Sequence, residues 1–172
     1  IREHFGLAGD DVDIWMGTLS KTLASCGGYI AGSTALVEHL KFLAPGFLYS
    51  VGMPPSVTAS ALAALRCLAN DQERVQTVQA RGELFLRLAK AAGLDTATST
   101  GLAVIPVITG SSFKAGRLSS ALFERGINAQ PILYPAVPEH VARVRFFVSC
   151  EHSEEQIRQT VAIVAEELAK IG

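Results

Sequence analysis

The sequence predicts an α/β chain of two unlike parts, on three observations. Two short β-prone runs stand at the front, a long stretch of helical periodicity fills the middle, and a β-α-β-β-α order closes the chain. Residues 1–93 read as the tail of a larger domain with its connecting helices, and residues 94–172 as a small α/β domain. No internal repeat or low-complexity segment interrupts that order.

The first run, Val12-Asp13-Ile14-Trp15-Met16, carries branched and ring side chains that suit a pleated strand. Gly28-Tyr29-Ile30-Ala31-Gly32 is a second strand, bounded by glycines. Ser33 or Thr34 then caps a helix running to about Ala44, which Pro45-Gly46 ends. Pro54-Pro55-Ser56 opens another helix, whose Ala59, Leu62, Ala63, Leu65 and Leu68 give it a broad face of small and apolar residues. Asn70-Asp71 starts a longer helix to about Ala92, with Val75, Val78, Leu84, Leu88 and Ala91 near helical spacing and Gly93 as its stop.

Residues 101–109 are then β-rich, and residues 112–125 form an amphipathic helix that ends at Gly126. Ile127-Asn128-Ala129 reads as a short strand, and residues 131–138 as a loop with three prolines. Residues 142–148 alternate as a strand with Arg143 and Arg145 on one face. Ser153-Glu154-Glu155-Gln156 is a capping box that opens a final helix, with Ile157, Val161, Val164 and Leu168 along one side.

Apolar residues make up 49% of the 172 residues and charged residues 18%, and mean hydropathy is +0.30. That is apolar for a free-standing domain. No apolar run approaches the roughly 18–20 residues of a membrane span, so the excess reads as surface to be covered by more of the same protein, a second subunit, or both. With a net charge of −1, 7% aromatic residues and no basic stripe, a nucleic-acid partner is not expected. Cys26, Cys67 and Cys150 are odd in number and far apart, which fits neither a disulfide framework nor a zinc cluster and points to a reducing cytoplasm. The opening Ile1-Arg2-Glu3-His4 has no initiator methionine and no basic leader, and reads as cut from something longer.

The chemistry concentrates at Gly17-Thr18-Leu19-Ser20-Lys21-Thr22. A lysine set among small residues after an apolar strand can be partly desolvated, which favours its neutral, nucleophilic form towards an aldehyde. Hydroxyls three and one residues earlier can hydrogen-bond an anionic group carried by that aldehyde. Glycines beyond, at Gly27 and Gly28, let backbone lie close to a flat ring. A phosphate-binding P-loop does not fit, because Ser20 stands where that motif needs glycine. The serine–lysine pair of β-lactamases does not fit either, because Thr18 stands where it needs serine. On spacing alone, an ordinary surface lysine in a glycine-flanked loop remains open.

The run from Gly17 to Leu23, continued by Gly27-Gly28-Tyr29-Ile30-Ala31-Gly32, resembles the α-oxoamine synthases, fold-type-I enzymes dependent on pyridoxal 5'-phosphate (PLP). The resemblance extends through Phe47-Leu48-Tyr49-Ser50-Val51-Gly52-Met53-Pro54-Pro55. It resumes at Pro135-Ala136-Val137-Pro138-Glu139, at Ala142-Arg143-Val144-Arg145 and at Glu151-His152-Ser153, and so covers essentially the whole chain in order. It implies the C-terminal part of the fold-type-I PLP-dependent transferase fold: the end of the large domain plus the small α/β domain. It implies that Lys21 forms the Schiff base with PLP, that Thr18 holds the cofactor phosphate, and that Arg145 pairs with the amino-acid carboxylate. A planar guanidinium suits that last role, because it binds a carboxylate bidentately. Ser50 lies in a loop that in this family reaches the partner subunit's phosphate, so a homodimer is implied. Val51 and Gly52 depart from the hydroxyl residues often found there.

The implied reaction condenses an amino acid with an acyl thioester, of CoA or an acyl carrier protein, with loss of CO2. The family also uses an Asp against the pyridine nitrogen and a His stacked on the ring, both upstream of the lysine. Only 20 residues precede Lys21, so the chain reads as a fragment and is expected to be inactive alone. Two rivals stand beside this: an aminotransferase or carbon–carbon lyase of the same fold, and a non-catalytic scaffold or dimerisation piece. Of the remaining residues, Tyr134 is a candidate substrate contact, whereas His152 and Arg143 read as structural, Cys26 as a small buried residue, and His4, His39 and His140 as solvent-facing.

Overall fold

The computed structural model describes all residues from Ile1 to Gly172, and the chain divides by compactness into Ile1–Asn70 and Asp71–Gly172. In the first unit, a short helix α1 (Arg2–Phe5) and a 3-10 turn (Gly9–Asp11) lead into strand β1 (Ile14–Thr18). The Trp15 indole N–H donates to the Gly9 carbonyl at 2.7 Å, tying that turn to the strand. β1 pairs antiparallel with β2 (Gly28–Gly32), with Ile14 opposite Gly32 and Thr18 opposite Gly28. Helix α2 (Thr34–Leu43) follows, and Ser33 caps it by accepting the Leu36 N–H. α2 ends before Pro45 as expected, and Pro45 then opens a separate helical turn, α3 (Pro45–Leu48), because a proline ring at the first helical position already has the right φ and lacks a donor that would go unpaired. Helix α4 (Pro55–Asn70) completes the unit and buries none of its residues.

Leu19 is the one buried apolar side chain in this unit. Leu62, Leu65, Met16, Tyr49 and Val51 are all exposed. The uncovered apolar surface that the composition implies is therefore concentrated here.

The second unit holds the hydrophobic core. Helix α5 (Gln72–Ala91) is capped by Asp71, and Gly93 beyond it takes a left-handed φ of 74°. Strand β3 (Val104–Ile108), helix α6 (Ser112–Glu124), strand β4 (Gln130–Ile132), strand β5 (Arg143–Phe147) and helix α7 (Glu154–Ile171) give the expected β-α-β-β-α order. The sheet is antiparallel in the order β3-β5-β4, with Ile105 opposite Phe146 and Pro131 opposite Val144. One face of this sheet, with Ile105, Val107, Val144 and Phe146, packs with Leu84, Phe85 and Ala89 of α5, Leu118 and Leu122 of α6, and Ile157, Val161 and Val164 of α7. The other face carries Val104, Pro106, Ile108, Arg143, Arg145 and Phe147, none of them buried.

Two details differ from the sequence reading. The strand expected at 127–129 forms three residues later, at Gln130–Ile132, and includes Pro131. An edge strand has one side with no ladder to donate to, so proline is tolerated there. Helix α5 buries Gly82, Leu84, Phe85, Leu86 and Ala89, whereas Ala91 is exposed. Its apolar stripe joins the core of the second unit, so the compact units part at Asn70–Asp71 although the sequence reading divides the chain at residue 93. No helix is long and apolar enough to cross a membrane.

Candidate active site

The loop between β1 and β2 is closed by its own backbone. The Leu19 N–H donates to the Gly27 carbonyl, the Ser25 N–H to the Leu19 carbonyl and the Ala24 N–H to the Lys21 carbonyl, each at 2.9 Å. Lys21 therefore opens a tight turn, and Ala24 completes it at a positive φ of 47°, a conformation that costs a residue with a Cβ about 1–2 kcal/mol. Gly28 has no such freedom to spare for a side chain: a Cβ there would lie 2.8 Å from the Gly17 carbonyl oxygen. The loop is also fastened from outside. The Ser25 hydroxyl donates to the Val57 carbonyl at 2.6 Å, and the Ser60 hydroxyl to the Ala24 carbonyl at 3.3 Å, so the start of α4 grips both residues.

Within this frame three polar side chains form a row. The Thr18 and Ser20 hydroxyl oxygens lie 2.8 Å apart, and the Lys21 ammonium donates to the Ser20 hydroxyl at 3.3 Å. The Ser20 N–H also donates to the Thr18 hydroxyl at 3.2 Å, which fixes the order of the row. Lys21 makes no ion pair. It is exposed, so this chain by itself does not supply the desolvation that the sequence reading assigns to it.

Ser50 is not hydrogen-bonded to this row. Its hydroxyl donates to the Phe47 carbonyl at 3.0 Å and accepts the Gly52 N–H at 3.4 Å, in a segment where Tyr49 and Val51 are fully open. The segment approaches the loop through Met53, whose sulfur lies near Gly27.

In the second unit, Arg145 stands on the open face of β5 with no ion pair and no hydrogen bond, its guanidinium 5.4 Å from the centre of the Phe147 ring. Arg143 instead donates through Nε to the Val141 carbonyl at 2.8 Å, a structural use. His152 accepts the Ser149 N–H at 3.0 Å through Nδ1 and so closes the turn between β5 and α7. Cys26 is exposed, which corrects the expectation that it is buried: loop closure runs through the Gly27 carbonyl and leaves the neighbouring side chain outside. Tyr134 is exposed, and its backbone N–H donates to the Ser112 hydroxyl at 3.1 Å.

That last contact belongs to a group which sequence reasoning missed. The Glu139 carboxylate accepts the Ser112 hydroxyl at 2.5 Å and the Ser112 N–H at 2.7 Å, joining the proline-rich loop to the start of α6. Those two bonds hold the Glu139 carboxyl below its usual range. The partners are 27 residues apart in the chain, so no local pattern announces them.

Residues 2–164 match the family model of the class I and II aminotransferases. Among curated proteins the chain is 37% identical over 169 residues to an 8-amino-7-oxononanoate synthase from Bacillus pumilus, covering 98% of this chain and 43% of that protein. It is 41% identical over 157 residues to an 8-amino-7-oxononanoate synthase from Thermosipho melanesiensis, covering 91% of this chain and 40% of that one. Among solved structures it superposes on a serine palmitoyltransferase variant from S. paucimobilis with a bound PLP–myriocin aldimine. The TM-score there is 0.90 at 22% identity, over 99% of this chain and 43% of the other, a likeness of fold. The chain thus spans less than half the length of these proteins. Both enzyme types stand in the group to which the sequence resemblance points.

Proposed function

We propose, from the premise that this chain belongs to the class I and II aminotransferase family, that it carries part of the active site of a PLP-dependent α-oxoamine synthase. That enzyme condenses an amino acid with an acyl thioester, of CoA or an acyl carrier protein, and releases CO2. The observation that carries the reading is the row Thr18–Ser20–Lys21: two hydroxyls in contact and an amine with no acidic partner, on a loop held to α4 through Ala24 and Ser25.

The chemistry of that donor set fits PLP. The hydroxyl of Thr18 suits a phosphate oxygen, and a lysine free of any carboxylate is available for covalent attachment. When bound, the cofactor supplies an electron sink for the carbanion formed at the substrate α-carbon. Lys21 Nζ then takes and returns the proton at that carbon. Arg145 offers its donors to the substrate carboxylate and orients it until it leaves as CO2. Ser50, on the open loop after α3, serves the phosphate of a second copy in a homodimer; its hydroxyl first has to release the Phe47 carbonyl. The segment that supplies partners for the pyridine ring lies outside this chain in the reading, so the chain alone binds cofactor incompletely and does not turn over.

The test is product analysis on the enzyme that contains this chain. With an amino acid and an acyl thioester, free thiol and CO2 are expected to appear together. A keto acid without free thiol would assign the site to transamination instead.

A further inference from the structure

The surroundings of Arg145 are unusual for an exposed strand arginine. β5 is the central strand of its sheet, and the direct neighbours of Arg145 across the ladders are Pro106 and Gln130, neither of which bears charge. Its neighbours on the same face of the strand are Arg143 and Phe147. No carboxylate competes for it, and Arg143 adds a second positive charge nearby. What holds the guanidinium is the ring of Phe147, 5.4 Å from its carbon to the ring centre. Phe147 itself is 58% exposed, so the face of its ring is open to the guanidinium beside it.

An aromatic face differs from every other partner an arginine can have. It attracts the cation through its quadrupole but accepts none of the N–H donors in the usual sense. A carboxylate partner would occupy the same fork that a substrate carboxylate needs. A carbonyl partner, as at Arg143, would take one donor. The ring restricts the four-bond side chain while leaving its hydrogen-bonding edge free, and part of the ordering cost of binding is met before the ligand arrives.

We propose that Phe147 is the positioning residue for Arg145, holding its guanidinium in a carboxylate-ready pose on the open face of the sheet. The inference rests on the reading of Arg145 as the carboxylate binder, and its test separates the two. The measurement is an NMR titration of the full chain with sodium acetate, following the Arg145 Nε–H signal, which is assigned by its loss in Arg145→Lys. Methylammonium chloride at equal ionic strength is the control. Acetate is expected to move the Arg145 signal in the unsubstituted chain. Phe147→Leu is expected to weaken that binding roughly 2- to 5-fold, the share of an exposed cation–π contact. Phe147→Tyr and Phe147→Trp restore it, since each keeps the aromatic face, and their unchanged amide spectra show that the sheet is intact. Equal acetate affinity in Phe147→Leu and the unsubstituted chain overturns the role of Phe147 and leaves that of Arg145 standing. No acetate response of the Arg145 signal in the unsubstituted chain overturns the reading of Arg145 itself.

Discussion

Gly82→Ala tests how the second unit is assembled. Gly82 is buried in α5, and a Cβ there would lie 1.8 Å from the Leu102 carbonyl oxygen and 2.5 Å from that of Gly101. An ordinary carbon–oxygen contact is about 3.3 Å, so the backbone before β3 has to retreat by about 1.5 Å. Both obstacles are main-chain atoms, and no side-chain rotation relieves them. Overpacking of this kind costs about 1–3 kcal/mol, and a main-chain obstacle places it at the upper end. Replacing a helical glycine by alanine returns about 1 kcal/mol. The net expectation is a loss of about 2 kcal/mol, which in a unit of about 100 residues lowers Tm by about 8–16 °C. The amide signals of Val107 and Val144 report on this unit during thermal unfolding, whereas Trp15 reports on the other. Ala80→Gly, exposed on the same helix, is the control and should cost about 1 kcal/mol. A Gly82→Ala chain as stable as the parent would refute the close approach of α5 to residues 101–102.

Three further outcomes follow from the same structure. Leu118→Ala, at a fully buried position between α6 and the sheet, should cost about 2–5 kcal/mol in urea unfolding of the second unit. Ser153→Ala removes one half of the reciprocal cap on α7, in which Ser153 accepts the Gln156 N–H at 3.1 Å, and should cost about 1 kcal/mol by the same assay. Glu139 has a folded pKa below its ordinary 4.5, so its contribution is complete above that value and is lost as pH falls through the depressed one. Glu139→Gln should therefore lower Tm at neutral pH, and the gap to the parent should close in acid.

Much of the fold is written locally. Ser33, Asp71 and Ser153 each stand at the start of a helix because each has a side-chain oxygen that accepts an N–H three residues on. The glycines at 28 and 32 bound a strand with the same limits in sequence and structure. Features decided by distant parts of the chain were not legible. Whether 127–129 or 130–132 becomes a strand depends on the register against β5, and the position of that edge excuses Pro131. The site divides in the same way. The contact among Thr18, Ser20 and Lys21 was legible, because close spacing alone puts their polar atoms in reach. The fastening of their loop through Ser25–Val57 and Ser60–Ala24 spans 32 and 36 residues and leaves no local trace. The exposure of Lys21 marks the limit of reading desolvation from a neighbourhood of small residues: small neighbours leave room around a side chain but do not cover it.

The central claim is that Lys21, and no other lysine, is the point of cofactor attachment. Incubation of the enzyme that contains this chain with PLP, reduction with borohydride and mass mapping of the peptides tests it directly. The account predicts the pyridoxyl group on the peptide that contains Lys21, with Lys41, Lys90, Lys114 and Lys170 unlabelled at matched exposure to PLP, and no preferred site after Lys21→Ala. Label spread evenly over the lysines, or concentrated on one of the other four, would contradict it.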